Sequence, residues 1–469
     1  MALSASMAWE VRSGGSSTNS GGFKAGASGT DRTQQDAAYI TFTDLVIDAV
    51  DNTKVTSAGN PFDSTSPGNT IRVSGGTGFT TGTYEILSVA TGVATLDRAV
   101  GTTSSTGGTG TLGGGKIRLE DVDSVIVAGN TVWMLGGTYT RTTTNTLTAD
   151  GTSTGKIRVI GYKSGNRTDV AITEADMPIM TSATNSVAIV TLNAAPYWSF
   201  RNIKLTHTAA TRGNGIVSSS GATSFGPQLY NCVFDGCLSG INEGSVGMVG
   251  LQASRCTIRN STSHGVVLNS AGSAVPPMSF DSCYIYANAG AGITAASGNL
   301  QGLTIKRCVI QGNTGASGHG IWLQQTTGGW SGTIIDVDNN VLYNNAQSGL
   351  RAEFTTTHPI LAVTNNIFVS NGAYGVSFAT AGMADTSYSK VFSNAYWNNT
   401  TLPRQNFVTG DGDVTLSGNP FTNAGSADFS LDNTASEGAA CRSVAWPASV
   451  GAVGATAGTN YGDIGALQA

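Results

Sequence analysis

Residues 306–324 read KRCVIQGNTGASGHGIWLQ. Cys308 stands in an apolar, strand-like run, Asn313 follows five residues later, and after a glycine-rich bend a second apolar run starts at Gly320-Ile321. A thiol and an amide at that spacing would occur once if they built a single reactive site. Here the same grammar returns in NCVFDGC, SRCTIRNS, DSCYIYAN, DNNVLYNN, TNNIFVSN and FSNAYWNN. The first column is Cys232, Cys256, Cys283, Cys308, Asn340, Asn366 and Asn394; the second is Cys237, Ser261, Asn288, Asn313, Asn345, Asn371 and Asn399. A Gly-aliphatic pair belongs to each repeat, as at Gly265-Val266, Gly292-Ile293, Gly349-Leu350 and Gly375-Val376. The period is 24 to 32 residues, the scale of a solenoid.

No repeat carries a helical period. Leu303 with Ile305, Ile335 with Val337, Leu361 with Val363, Ile321 with Leu323 and Val376 with Phe378 all alternate with period two, which marks strands. Three short strands per repeat, joined by Gly, Asn and Ser bends, make one coil of a parallel β-helix, and coils stack at about 4.8 Å. The columns are then ladders: an inward Asn at a bend bonds its copies above and below, and a small thiol fills a tight corner.

Charged residues make up only 11% of the 469-residue chain, against about 25% in an ordinary globular protein. Its polar surface is Ser, Thr, Asn and Gly. A hydrophobic content of 39% in regular strand periods argues for a packed solenoid over disorder. A net charge of −5 offers no basic footprint for nucleic acid. The opening MALSASMAWEVRSGG lacks the pattern of a secretory signal, and no stretch approaches a membrane span. Cysteines stacked one per coil have Cβ atoms about 4.8 Å apart, beyond the roughly 3.8 Å of a disulfide, so Cys232, Cys256, Cys283 and Cys308 are expected to be free and buried.

Five segments follow from the pattern: a Gly/Ser-rich N-terminal arm (1–36), a small β domain, barrel or sandwich (37–115), irregular first coils (116–197), the regular β-helix (198–400) and a C-terminal cap (401–469). The stretch WEVRSGGSSTNSGGFKAGASGTDRTQQDAAYITFTDLVID (9–48), with GTGFTTGTYEILSVATGVATLDRAVG (76–101), resembles right-handed parallel β-helix proteins of tailed bacteriophages. The closing GDIGALQ (462–468) resembles the last segment of many pectin-lyase-like chains. The resemblance implies an all-β, right-handed parallel β-helix in a virion: a fibre, spike or capsid-attached appendage. It also implies assembly as a homotrimer; other virion proteins and a host surface glycan are the expected partners, and no cofactor is expected. It carries over no catalytic residue.

Such folds also carry polysaccharide hydrolases and lyases, so catalysis has to be sought in the residues. Glycoside hydrolysis needs two carboxylates about 5–9.5 Å apart. Asp336 and Asp338, two apart on one strand, are the best pair. The coil register places Asp281, Lys306 and Asp338 in one outward column, an alternating-charge ladder that cross-strand pairing explains without chemistry. Asp235, Glu243 and Glu353 show no evident partner. His264 and His319 share a column two coils, about 9.6 Å, apart, too far for one metal; His207 and His358 stand alone, and Asp411 and Asp413 lack the ligand run of a calcium loop. No metal site is expected. A tailspike enzyme acting on host polysaccharide is the alternative reading.

The strand that follows the first column points Val233, Tyr284, Tyr286, Val309, Val341, Tyr343, Ile367, Val369 and Trp397 outward. An apolar stripe this long implies burial against something. Packing against identical chains about a threefold axis is the expected cover; the alternatives are the chain's own C-terminal segment or a long loop, and saccharide stacking. A smaller feature is Trp322 with Arg351 one coil on and Trp330 nearby, an aromatic–guanidinium group suited to a sugar, to a protein contact or to a packed bend.

Overall fold

The computed structural model describes residues 3–442 except 166, 220–224, 245–246, 270–276, 296–301, 326–333, 355–359, 380–388 and 407–409. Trp330, His358 and the GDIGALQ segment lie outside the described residues. The chain divides into two units, one of residues 1–140, 145–180 and 195–204, the other of 141–144, 181–194 and 205 onward.

In the second unit a coil is three short strands, for example Ser279–Asp281, Tyr284–Tyr286 and Ile293–Ala295. Each pairs in parallel with its equivalent in the next coil: Phe280 with Ile305, Ile285 with Ile310, Ile293 with Ile321. Three parallel sheets result, called here the first, second and third faces. The first runs from Gln228–Tyr230 to Ser389–Phe392 and the second from Val233–Asp235 to Val414–Thr415. The inward residues, among them Phe280, Ile305, Val337, Ile285, Leu342, Phe368 and Tyr396, are fully or almost fully buried. They stack like on like, and the Phe368 and Tyr396 rings lie 5.4 Å apart and nearly parallel.

The corners explain the columns. One left-handed residue precedes each inward Cys or Asn: Arg307 (φ +54°) before Cys308, Asn339 (+59°) before Asn340, Gly312 (+58°) before Asn313 and Asn344 (+51°) before Asn345. A single αL residue turns the chain sharply, and Asn and Gly adopt it at least cost. The glycine before the third strand has a different cause. A Cβ on Gly320 would stand 2.5 Å from the carbonyl oxygen of Gly349, the acceptor of the Ile321 N–H at 2.9 Å; successive coils are too close there for any side chain.

The inward amides form two ladders. Asn288 donates to Asn313 at 2.9 Å, Asn313 to Asn345 at 2.8 Å, Asn345 to Asn371 at 3.0 Å and Asn371 to Asn399 at 2.9 Å. In the other, Asn340 donates to Asn366 at 2.9 Å and Asn366 to Asn394 at 3.0 Å. The second ladder grows out of the thiol column, with the Cys308 N–H donating to Asn340 Oδ1 at 2.8 Å. All six cysteines are free and buried, and burial raises the thiols of Cys256 and Cys308 above the usual range.

In the first unit, six antiparallel strands close a barrel in the order Ile40–Ile47, Lys54–Thr56, Val93–Leu96, Gly82–Ala90, Thr70–Gly75, Gly108–Leu112. Phe42, Leu45, Ile47, Ile71, Tyr84, Ile86 and Leu112 fill it. The hairpin between the third and fourth strands of that order turns on Thr91 and Gly92, both at positive φ (+50° and +76°), as a right-twisted two-residue turn requires. The barrel occupies most of the expected 37–115 segment.

The described residues of the expected 1–36 arm are not separate from the coils. Met7–Val11 pairs in parallel with Thr131–Leu135, which pairs with Ile157–Tyr162, so a coil strand opens the chain and the barrel is an insertion behind it. The alternation of Met7, Trp9 and Val11, all buried, is the signal for that strand.

Candidate functional site

On the first face the register is the expected one, with Asp281 beside Lys306 and Lys306 beside Asp338. The ion pairs differ. Lys306 Nζ turns to Asp336 at 2.8 Å, and Asp281 is held by Arg307, whose left-handed corner aims its guanidinium back one coil, at 2.8 and 2.5 Å. Asp338 is 7% exposed and accepts from Thr364 Oγ1 and Asn365 Nδ2, each at 2.8 Å. The outward, solvated placement expected for it is therefore corrected: the corner of the next coil closes over the carboxylate. Burial raises its pKa, partly opposed by the two hydrogen bonds. Asp336 and Asp338 are thus an ion-paired acid and a buried structural acid.

Other acids expected to stand alone have partners. Asp235 binds Arg259 at 2.8 Å, its neighbour in the strand register, and Glu353 pairs with Arg351. Glu243 is fully buried and accepts from the Asn269 N–H at 2.8 Å. Asp413 ends the second amide ladder: it accepts from the Asn394 N–H at 2.8 Å, from the Gly410 N–H at 2.9 Å and from Arg404 at 2.5 Å. His207 is buried, with Nε2 3.0 Å from the Val187 carbonyl oxygen.

The apolar stripe on the second face is covered by the chain itself. Beyond Val414–Thr415, the hairpin of Phe421–Asn423 and Asp428–Leu431 packs across the face. Val341, Ile367 and Val369 are at most 1% exposed beneath Leu416, Phe421, Phe429 and Cys441. The Tyr343 ring meets Phe421 and Phe429 edge-on at 6.1 and 5.5 Å, and Tyr284, Val309 and Trp397 pack at the margin. Tyr286 stacks 4.3 Å from Tyr284 and accepts from Arg259; Val233 is 4% exposed. The inter-chain seam expected on this stripe is corrected to an intrachain cover, because the hairpin supplies the aromatic partners that a second copy would have supplied.

On the third face Trp322 lies beside Arg351 in register. Its indole leans on both column histidines, with ring centroids 6.4 Å from His264 and 5.2 Å from His319. His264 Nδ1 accepts from the Ala291 N–H at 2.8 Å and His319 Nδ1 from the Ser348 N–H at 3.1 Å. Burial lowers both imidazole pKa values; His319, which also feels the Arg351 charge, falls to about 4. Sequence reasoning placed Trp322 with Arg351 and His264 with His319 in one column, but did not join the two pairs, because it did not foresee an indole long enough to bridge two coils.

A further cluster, in the first unit, had no sequence signal. Glu10 is fully buried and bound by Arg167 at 2.8 Å and Arg12 at 3.2 Å, with the Tyr162 hydroxyl donating to it; Arg167 also reaches Asp31 at 2.5 Å. Burial raises the Glu10 pKa against the pull of the guanidiniums. Partners 157 residues apart leave no local pattern. The cluster ties the 31–36 segment to the first coil strand.

Stacked three-strand coils with amide ladders at their corners define a parallel β-solenoid. The family described as right handed beta helix region matches residues 185–349 and, overlapping, 240–419, which together are half of the chain, and the chain belongs to that family. Among solved structures it is similar to pectate lyase Pel9A (12% identity, 76% of this chain and 91% of that one, TM-score 0.47). It is also similar to the GH87 alpha-1,3-glucanase catalytic unit of Streptomyces thermodiastaticus strain HF3-3 (12%, 85% and 91%, 0.39) and to Dettilon tailspike protein (13%, 64% and 62%, 0.32). No curated protein matches the chain.

Proposed function

We propose that the protein is a structural component of a phage virion, a rigid β-helix appendage (fibre, spike or capsid-attached protein) that contributes to attachment or particle stability. The observation that carries this reading is how the outward acids are used. Asp336 is neutralised by Lys306, Asp281 by Arg307 and Asp235 by Arg259, and Asp338 is buried in hydrogen bonds. Acids held this way stiffen a shaft and are poorly placed to protonate a leaving group or activate water. The uninterrupted amide ladders act in the same direction, and the likeness of the N-terminal block to phage β-helix proteins supplies the virion context. In this reading the chain assembles as a homotrimer through surfaces other than the covered stripe and meets other virion proteins.

The second reading, a tailspike that binds and cleaves host surface polysaccharide, draws support from the nitrogen donors gathered around Trp322. Cryo-electron microscopy of purified particles tests the first: density for the solenoid on the particle is expected, and particles that lack the chain overturn it. Release of reducing ends or unsaturated sugars from host polysaccharide by the purified protein would establish the second.

A further inference from the structure

The third-face cluster has an excess of hydrogen-bond donors. Both column histidines use Nδ1 to accept a backbone N–H, so in the neutral ring the proton resides on Nε2. Among the described residues neither Nε2 has a protein acceptor. Trp322 Nε1 is buried and also lacks one. Arg351 Nε and Nη2 both bind Glu353 through its Oε1, which leaves Arg351 Nη1 without a partner among the described residues. Arg351 and Glu353 remain partly exposed, at 37% and 28%, so the cluster opens to solvent on that side. Trp322 Nε1 is thus buried without an acceptor, and beside it lie two imidazole N–H groups and part of a guanidinium that no described residue accepts from. One water accepts only two hydrogen bonds and adds two donors of its own. The chemistry that completes the set is a group made only of acceptors.

We propose that this cluster binds an oxyanion, a carboxylate or a sulfate, with the Trp322 Nε1–H, the His264 and His319 Nε2–H groups and the free edge of the Arg351 guanidinium as donors. A planar or tetrahedral oxyanion presents several lone pairs at once, and charge-assisted bonds to guanidinium and indole are the strong ones. The indole face supplies a stacking surface if the anion is carried on a sugar ring. Glu353 competes with the ligand for Arg351. The site holds whether or not the chain belongs to a virion, since it rests on the donor set alone.

Isothermal titration calorimetry on the full chain tests it, with sodium sulfate, sodium glucuronate and glucose as probes at constant ionic strength. Tryptophan fluorescence, read as wild type minus Trp322→Phe, locates the site. Binding of sulfate or glucuronate with a change in the Trp322 signal is expected, weakened about ten-fold or more in Arg351→Gln. Glu353→Gln should tighten it, because the competing acceptor is gone; a purely structural Arg351–Glu353 pair would not give that response. Equal binding of both anions assigns the site to any free oxyanion, and binding of glucuronate alone assigns it to an acid carried on a sugar. The proposal is overturned if neither anion binds, if glucose binds as well as glucuronate, or if Arg351→Gln and Glu353→Gln, shown folded by circular dichroism, leave the affinity unchanged.

Discussion

Replacing Asn345 by Asp probes the amide ladder directly. Asn345 Oδ1 accepts from the Asn313 N–H at 3.3 Å and Asn313 Nδ2 at 2.8 Å, while its Nδ2 donates to the Ile310 carbonyl at 3.1 Å and to Asn371 Oδ1 at 3.0 Å. The residue is 1% exposed. In the variant one oxygen keeps both donors, but the other faces two acceptors across contact distance. A buried charge in that setting costs about 3–5 kcal/mol. Protonated, the carboxyl donates to one of the two acceptors, and the loss shrinks to about 1–2 kcal/mol for the bond not made. The introduced group therefore has a folded pKa above its unfolded value of about 3.9. Its penalty is small below that value and grows as pH rises towards the folded pKa, at about 1.36 kcal/mol per pH unit. Urea denaturation of wild type and Asn345→Asp at pH 4 and pH 7.5 measures the difference, with exposed Asn398→Asp as control. The variant should lose about 2–3 kcal/mol more at pH 7.5 than at pH 4. A loss equal at both pH values, or no larger than that of Asn398→Asp, refutes the ladder as an acceptor-saturated structure.

Asp338→Asn keeps the acceptor for Thr364 and Asn365 and removes a buried charge. Because burial raises the wild-type pKa, wild-type stability should fall as pH rises from about 3.9 through the folded pKa. The variant should lack that fall, and a variant less stable than wild type at pH 7.5 would contradict it. Thiol reagents should label Cys256, Cys283 and Cys308 only after unfolding, and reductant should leave the melting temperature unchanged; rapid native labelling would refute the buried column. Phe429→Ala should cost about 3–5 kcal/mol in the C-terminal cover, read as earlier proteolysis between residues 414 and 442 and as new binding of a hydrophobic dye. Unchanged proteolysis would show that the hairpin does not hold the stripe.

The repeat was legible because a coil is built locally. Residues about 25 apart occupy equivalent corners, so the demand for a left-handed residue followed by a small or amide side chain is written once per coil. The Asn and Cys columns, the β-helix and the free thiols follow from that. The barrel was legible as a change of grammar, since tight antiparallel turns need Gly at short intervals. Pairings among neighbouring coils were partly legible: the column Asp281–Lys306–Asp338 was right in register, yet Lys306 and Arg307 each had two acids within reach, and only side-chain packing chose between them.

What the sequence could not decide was which outward surface meets which distant segment. The stripe of Val341, Ile367 and Val369 announced burial but not its partner, because apolar surface is non-directional and a second copy would satisfy it as well as the Phe421–Phe429 hairpin does. Glu10 and Arg167 find each other across 157 residues of chain. His264 and His319 meet through an indole from a third position. Periodic sequence specifies the coil because each coil repeats the same local constraints. Closure over the faces is a single event between non-repeating segments, so only the tertiary structure determines it.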